Sequence, residues 1–195
     1  CGRLPDAVGF AEVENSKVLE LLVSRTVLRK LDYAILHFDS HDPRGIDCAL
    51  IYRKSRLHLR KCVPLPIVDS FGDTLQTRDI LLAEFDSMAI LVNHHPSRIG
   101  GKAERRDMAM RKMRNTADSL VAAGCMGVLA IGDFNEAMWP GNAGSGTIKY
   151  NGRWEKIDGH FAFGGIRTAE RILDYPFLLT RDSSYGGQKP LRTFT

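Results

Sequence analysis

Three apolar runs in this chain end abruptly in polar clusters. Val128 to Ile131 lead into Gly132-Asp133-Phe134-Asn135, and Met88 to Val92 lead into Asn93-His94-His95-Pro96-Ser97-Arg98. An earlier run from Asp6 places Glu12 at its end, with Asn15 in position to cap a following helix. Short apolar segments bounded by Gly, Pro and polar residues predict buried strands, and strand ends are where ligands collect in α/β sheets. Elsewhere Val18, Leu19 and Leu22 recur at helical spacing over 15–30, and 33–38, 47–52 and 64–69 read as strands. Segments 79–85 and 88–93 form a hairpin through Asp86-Ser87. A second helix covers 102–123 with Met108, Met113, Ala117, Leu120 and Val121 facing inward, the Gly-rich stretch 141–146 is a loop, and 157–163 is another strand. No linker or repeat interrupts this order, so 1–195 reads as a single α/β domain of two packed, mainly antiparallel sheets flanked by helices.

Composition narrows the picture a little. No apolar stretch approaches the ~18 residues of a membrane span, and a monomer is expected. The net charge of +4, from 27 Lys+Arg against 23 Asp+Glu, is compatible with a polyanionic substrate and does not select nucleic acid over other anions. Arg98, Lys102, Arg105, Arg106, Arg111, Lys112 and Arg114 cluster after the second strand-end motif. They line a phosphate-binding surface or form a solvated helix face interleaved with Glu104 and Asp107. Cys1, Cys48, Cys62 and Cys125 lack metal-ligand spacing, and Cys48 and Cys125 read as reduced packing residues.

The strand-end clusters carry the chemistry. Side chains alternate on an extended segment, so Asp133 and Asn135 point the same way and offer one anionic oxygen and one neutral amide. A carboxylate, a histidine and an Asp/Asn pair at strand ends suit a hard divalent cation with a general acid or base, the equipment of phosphoryl transfer.

Five segments in order, Glu12 to Asn15, Asp42 to Arg53, Thr77 to Leu81, Val92 to Gly101 and Gly132 to Asn135, resemble the endonuclease/exonuclease/phosphatase superfamily, most closely an uncharacterised bacterial branch. The resemblance implies a four-layer α/β/β/α sandwich, deoxyribonuclease I-like, and one-step hydrolysis of a phosphate ester with Mg²⁺ or Mn²⁺. It assigns Glu12 and Asp133 to the metal, His94 to the phosphate and leaving group, Asp133 to the attacking water, Asn135 to the scissile phosphate, and Asp158 to orienting a catalytic histidine. Asn93, Ser97 and Arg98 are expected to contact substrate. Arg44 either clamps phosphate oxygens, with Asp47 fixing it or a nearby loop, or belongs to turn chemistry at Asp42-Pro43-Arg44-Gly45. Trp154 stacks on a base or anchors its loop; His95, His160 and Arg78 read as structural.

Relatives carry a first strand with an Asn and a last strand with Ser-Asp-His, and neither motif lies between Cys1 and Thr195. The expectation is therefore a fold and a site incomplete at both ends, with the histidine partner of Asp158 absent. A nuclease-like hydrolase of phosphodiester or phosphomonoester bonds, with a phosphate ester such as nucleic acid as partner, is the expectation. The alternatives are a small-molecule or lipid phosphatase, or a non-catalytic phosphate-binding module.

Overall fold

A computed structural model describes residues 4–98, 103–136 and 146–191. Along the chain run β1 (Ala7–Val13), α1 (Ser16–Arg25), β2 (Tyr33–His37), β3 (Asp47–Arg53), β4 (Leu59–Leu65), β5 (Ile80–Phe85), β6 (Met88–His94), α2 (Ala103–Ala122), β7 (Gly127–Asp133), β8 (Ile148–Tyr150), β9 (Arg153–Glu155), β10 (Asp158–Gly164), β11 (Leu179–Arg181) and β12 (Gln188–Pro190). One sheet has the order β1-β3-β2, and the other β10-β7-β6-β5-β4. Every pairing is antiparallel except β6 with β7, the pair that α2 connects. β8 with β9 and β11 with β12 are separate small hairpins.

Strand alternation sorts the apolar residues into layers. Cys48, Leu50 and Tyr52 on β3 face Leu81, Ala83, Phe85, Ile90 and Val92 of the larger sheet and form the core between the sheets. The opposite face of the smaller sheet, with Val13, Ile35 and Ala49, packs against Leu19 and Leu22 of α1. On α2, Ala109, Met113 and Ala117 recur every four residues and bury against Leu82, Leu91, Val128 and Ala130. The order is helix, sheet, sheet, helix, the sandwich expected.

Two predicted elements moved. The helix expected over 15–30 stops at Arg25, because the Thr26 hydroxyl donates to the Leu22 carbonyl (2.7 Å) and accepts from the Leu28 amide (3.2 Å), closing one helix and capping a 3₁₀ turn over Val27–Lys30. Asn15 caps α1 by accepting from the Val18 amide. The strand expected at 64–69 lies instead at Leu59–Leu65. As an edge strand it exposes Arg60 and Lys61, which hides its apolar signal and protects the sheet edge. Of the loop expected at 141–146, only Gly146 falls among the described residues.

Candidate active site

Strand register brings the central residues together. In the parallel β6–β7 pair His94 lies beside Asp133, and in the antiparallel β7–β10 pair Asp158 lies beside Asp133 on its other side. Three neighbouring strands thus end in a row of His94, Asp133 and Asp158, with His94 Nε2 3.8 Å from Asp133 Oδ2. The row depends on Gly132, whose φ is 135°. A Cβ there would sit 1.9 Å from the Asn93 carbonyl oxygen, so any other residue would force β6 and β7 apart. The turn after β7 is fixed by three hydrogen bonds: His95 N to the Asp133 carbonyl (2.9 Å), Asn135 N to Asp133 Oδ1 (2.8 Å) and Asn135 Nδ2 to the His95 carbonyl (2.9 Å).

Glu12 arrives from the other sheet. Gly9 presses β1 so closely onto β6 and β7 that a Cβ would stand 2.6 Å from Ile131 Cδ1 and 3.2 Å from Val92 Cγ2. The β1–β3 register then shifts between Phe10 and Val13, a bulge in which Glu12 adopts a φ of 59°. Val13 remains packed against α1's face, and Glu12 is re-aimed out of the strand alternation into solvent. Its charge adds a lesser upward push to Asp133 and Asp158, which burial raises first, and to Arg44, which its hydrogen bond to Asp42 raises first. Among the described residues only three non-glycines have positive φ, namely Glu12, Asn135 and Asn151, so two of the three are residues singled out by the motifs. Left-handed backbone at such positions is retained where it aims a functional group.

Burial sets the protonation states. It lifts the Asp133 carboxyl, with the Asp158 charge as second cause, to about 6. Burial also raises Asp158, opposed by a hydrogen bond with Thr147, whose Oγ1 also accepts from the Ile157 and Asp158 amides. His94 is pushed down to about 3 by burial first and then by the Arg78 and Arg44 charges, so its imidazole is neutral at neutral pH. A neutral imidazole donates a hydrogen bond but has no cationic proton to give a leaving group. Of the two roles the motif offers, binding phosphate is the one this environment supports. His94 Nδ1 is buried with no hydrogen-bond partner among the described residues. Glu12, Asp133 and Asp158 are oxygen ligands of the type a hard cation takes, but among the described residues only His37, Asp39 and Asp47 bring three ligand-type atoms within 4.8 Å of one another.

Arg44 lies on the β2–β3 loop and its fork grips Asp42, with Nε at 3.1 Å from Oδ1 and Nη2 at 2.9 Å from Oδ2. Asp47, expected as a partner for Arg44 or its loop, takes only the second role. It accepts from the Ser40 amide (2.8 Å) and pairs with His37 Nε2 (3.0 Å). With Asp39 these two place ligand-type atoms within 4.8 Å of one another, on the face of the small sheet that also carries Ala49 and away from Asp133. Behind Asp42 lies Arg78, buried, with Nη1 on Asp42 Oδ2 (3.0 Å) and Nη2 on the His95 carbonyl (2.7 Å).

Of the three expected substrate contacts Asn93 is enclosed, whereas Ser97 and Arg98 remain partly exposed. Asn93 is fully buried and donates both amide protons inward, to the Leu91 and Ile131 carbonyls, so it is not available to a substrate. Arg98 forms an ion pair with Glu155 on β9. Ser97 is half-buried, and its carbonyl accepts from Arg106 Nη1 (3.3 Å). Arg106 itself is buried and paired with Glu136 (2.6 Å), tying the segment after β6 to the segment after β7 instead of lining an open basic surface. His95 packs edge-on against Phe134, as the packing reading expected. His160 commits both ring nitrogens, to Glu170 (2.8 Å) and Thr168 (2.7 Å). A cavity of about 1160 Å³, lined by Trp154, Tyr185, Ile131 and Leu129, meets this site only at Asp158.

A two-sheet sandwich flanked by helices carries acids at strand ends of both sheets. The chain belongs to the endonuclease/exonuclease/phosphatase family, whose sequence model matches residues 2–143. The fold is shared with an endonuclease/exonuclease/phosphatase of Bacteroides vulgatus (TM-score 0.57, 17% identity, 80% of this chain and 72% of that one). It is shared also with the catalytic domain of human Nocturnin, solved with a bound sulfate (0.54, 21%, 68% and 52%), and with ANGEL2, a 2′,3′-cyclic phosphatase (0.54, 16%, 69% and 40%). The chain thus spans about half or less of the length of the last two. No curated protein matches the sequence.

Proposed function

We propose that this chain carries the metal-binding and phosphate-binding part of a divalent-cation-dependent phosphodiesterase. The observation that carries the reading is the row His94–Asp133–Asp158 joined from the other sheet by Glu12. Family membership supports phosphoester hydrolysis as the reaction class. Glu12 and Asp133 would hold Mg²⁺ or Mn²⁺; such an ion polarises the phosphoryl oxygen and offsets charge on the leaving oxygen.

The residues divide the remaining work. Asp133 is mostly ionised above its value of about 6 and orients or deprotonates the attacking water. Asn135 has one amide proton on His95 and a second with no partner among the described residues, which binds a phosphoryl oxygen as charge develops there. His94 donates a neutral hydrogen bond to the same group. Arg44, half-exposed beyond Asp42, faces substrate phosphate and supplies the fixed positive charge. Asp158 keeps the field around Asp133 negative and so favours cation binding.

The test is turnover of bis(p-nitrophenyl) phosphate and p-nitrophenyl phosphate by the full chain, with Mg²⁺ or with EDTA, beside Asp133→Asn. Diester turnover that EDTA and the substitution both abolish is expected. Inactivity with retained phosphate binding would replace this reading by a phosphate-binding module. Plasmid DNA, RNA, sphingomyelin and inositol phosphates then separate nuclease from lipid or small-molecule hydrolase.

A further inference from the structure

Arg78 is an enclosed cation near the site, with about 5% of its side chain exposed, and its own guanidinium is taken up by protein groups. It nevertheless joins the two groups that the phosphodiesterase reading sets on the phosphate. One arm reaches Asp42, which is also the anchor of the Arg44 guanidinium and is held far below the ordinary carboxylate range, burial being outweighed by its hydrogen bonds to Arg44 and Arg78. The other arm shares the His95 carbonyl with Asn135 Nδ2. The connected path runs Arg44, Asp42, Arg78, His95 carbonyl, Asn135, and from the Asn135 amide to Asp133 Oδ1. It bridges the smaller sheet's β2–β3 loop and the ends of β6 and β7, and among the described residues no other hydrogen bond joins these elements.

We propose that Arg78 is a positioning residue whose planar fork sets Arg44 and Asn135 at a fixed separation, so that one phosphate group meets both at once. The inference rests on the phosphodiesterase reading. Arginine suits the task and lysine does not: two donors in one plane reach two acceptors on different elements, whereas an ammonium is a single point that holds one of them. The buried His95 carbonyl with two donors also explains the left-handed turn at Asn135, since a relaxed backbone would withdraw the amide from that oxygen. A purely structural ion pair would need neither the shared carbonyl nor the bidentate Arg44 on the same carboxylate.

The experiment compares Arg78→Lys, Asp42→Asn and, as a control from the same segment, Asp79→Asn, whose carboxylate contacts His41 instead. In Arg78→Lys, kcat on bis(p-nitrophenyl) phosphate should fall about 100-fold, the scale of an ångström-level misplacement, with KM within about twofold. In Asp42→Asn, KM should rise about tenfold through the loosened Arg44, with a smaller change in kcat. Asp79→Asn should leave both unchanged. The ¹H–¹⁵N signals of the Asn135 side-chain amide should move in Arg78→Lys and Asp42→Asn and stay in Asp79→Asn. Wild-type kcat in folded Arg78→Lys, or an Asn135 amide unmoved in both site variants, overturns the proposal. If Arg78→Lys does not fold, the amide in Asp42→Asn decides. If the wild-type chain turns over no phosphoester, the phosphodiesterase reading fails on its own and the amide signals still decide whether Arg78 sets Asn135.

Discussion

Asp133 and Asp158 are cross-strand neighbours on β7 and β10, and each carboxyl is raised by its burial. Two acids held together in a poorly solvated corner, with the Glu12 charge acting on both, oppose folding at neutral pH unless a cation joins them. That tension between stability and site geometry makes the proposed function measurable.

Replacing Asp133 by Asn should separate the two effects. Turnover should fall about 100- to 10,000-fold, the usual scale for losing a general base. In EDTA at pH 7.5 the same variant should melt higher than wild type, because a carboxyl raised from 3.8 to about 6 destabilises the native state by up to about 3 kcal/mol. A lower melting temperature in EDTA would show that Asp133 is not under electrostatic strain.

The pH dependence of the metal-free protein follows the same sign. Asp133 binds its proton more tightly folded than unfolded, so its contribution to stability is fully present below pH 3.8 and is lost as pH rises through about 6. Asp158, also raised, acts in the same direction. Urea midpoints in EDTA should therefore drop between pH 4.5 and 7, apart from background titration, and the drop should be smaller in Asp133→Asn. Mg²⁺ at 100 times its dissociation constant should restore about 2.7 kcal/mol at pH 7.5, and no shift with Mg²⁺ or Mn²⁺ would count against a metal at these acids.

The bulge at Glu12 predicts an unusual pair of variants. Glu12→Gly removes both the carboxylate and the strain of a non-glycine at φ 59°, so the metal-free protein should gain up to about 1 kcal/mol while metal-dependent turnover is lost. Glu12→Gln loses turnover while keeping the strained backbone, and should gain less. Equal stability of the two would place no strain at the bulge.

Arg105 and Arg106, adjacent on α2, should behave differently. Arg105 is exposed; on a polymeric substrate Arg105→Ala should lower the slope of log KM against log salt by about one. Arg106→Ala should lower the melting temperature instead, since it frees Glu136 and the Ser97 carbonyl. A flat salt response in wild type would rule out a nucleic-acid substrate and leave a small phosphate ester.

Much of the frame was legible along the chain. Apolar runs, the Asp86-Ser87 hairpin and the Asn15 cap are local signals, and the structure has strands, turn and helix start at those places. Gly132 and the end of an apolar run mark where Asp133 surfaces, whereas the alternation expected to align Asn135 with it stops at Asp133, Asn135 taking a φ of 50° in the turn. Elements with weak local signals moved: the edge strand β4 is masked by Arg60 and Lys61, and the first helix yields to the Thr26 hydroxyl.

What the residues alone determined is which strands end in acids, amides and histidines, since that depends on hydrophobic period and turn chemistry within a few positions. Only the tertiary structure decided which of those ends meet. The parallel register of β6 with β7 puts His94 beside Asp133, and the close approach at Gly9 with the bulge after Phe10 brings in Glu12. The same packing turns Asn93 inward, draws Arg106 into an ion pair and links Arg78 to Asn135. These are contacts between segments far apart in sequence, and they are set by how two twisted sheets stack and where their loops close, which no local pattern encodes.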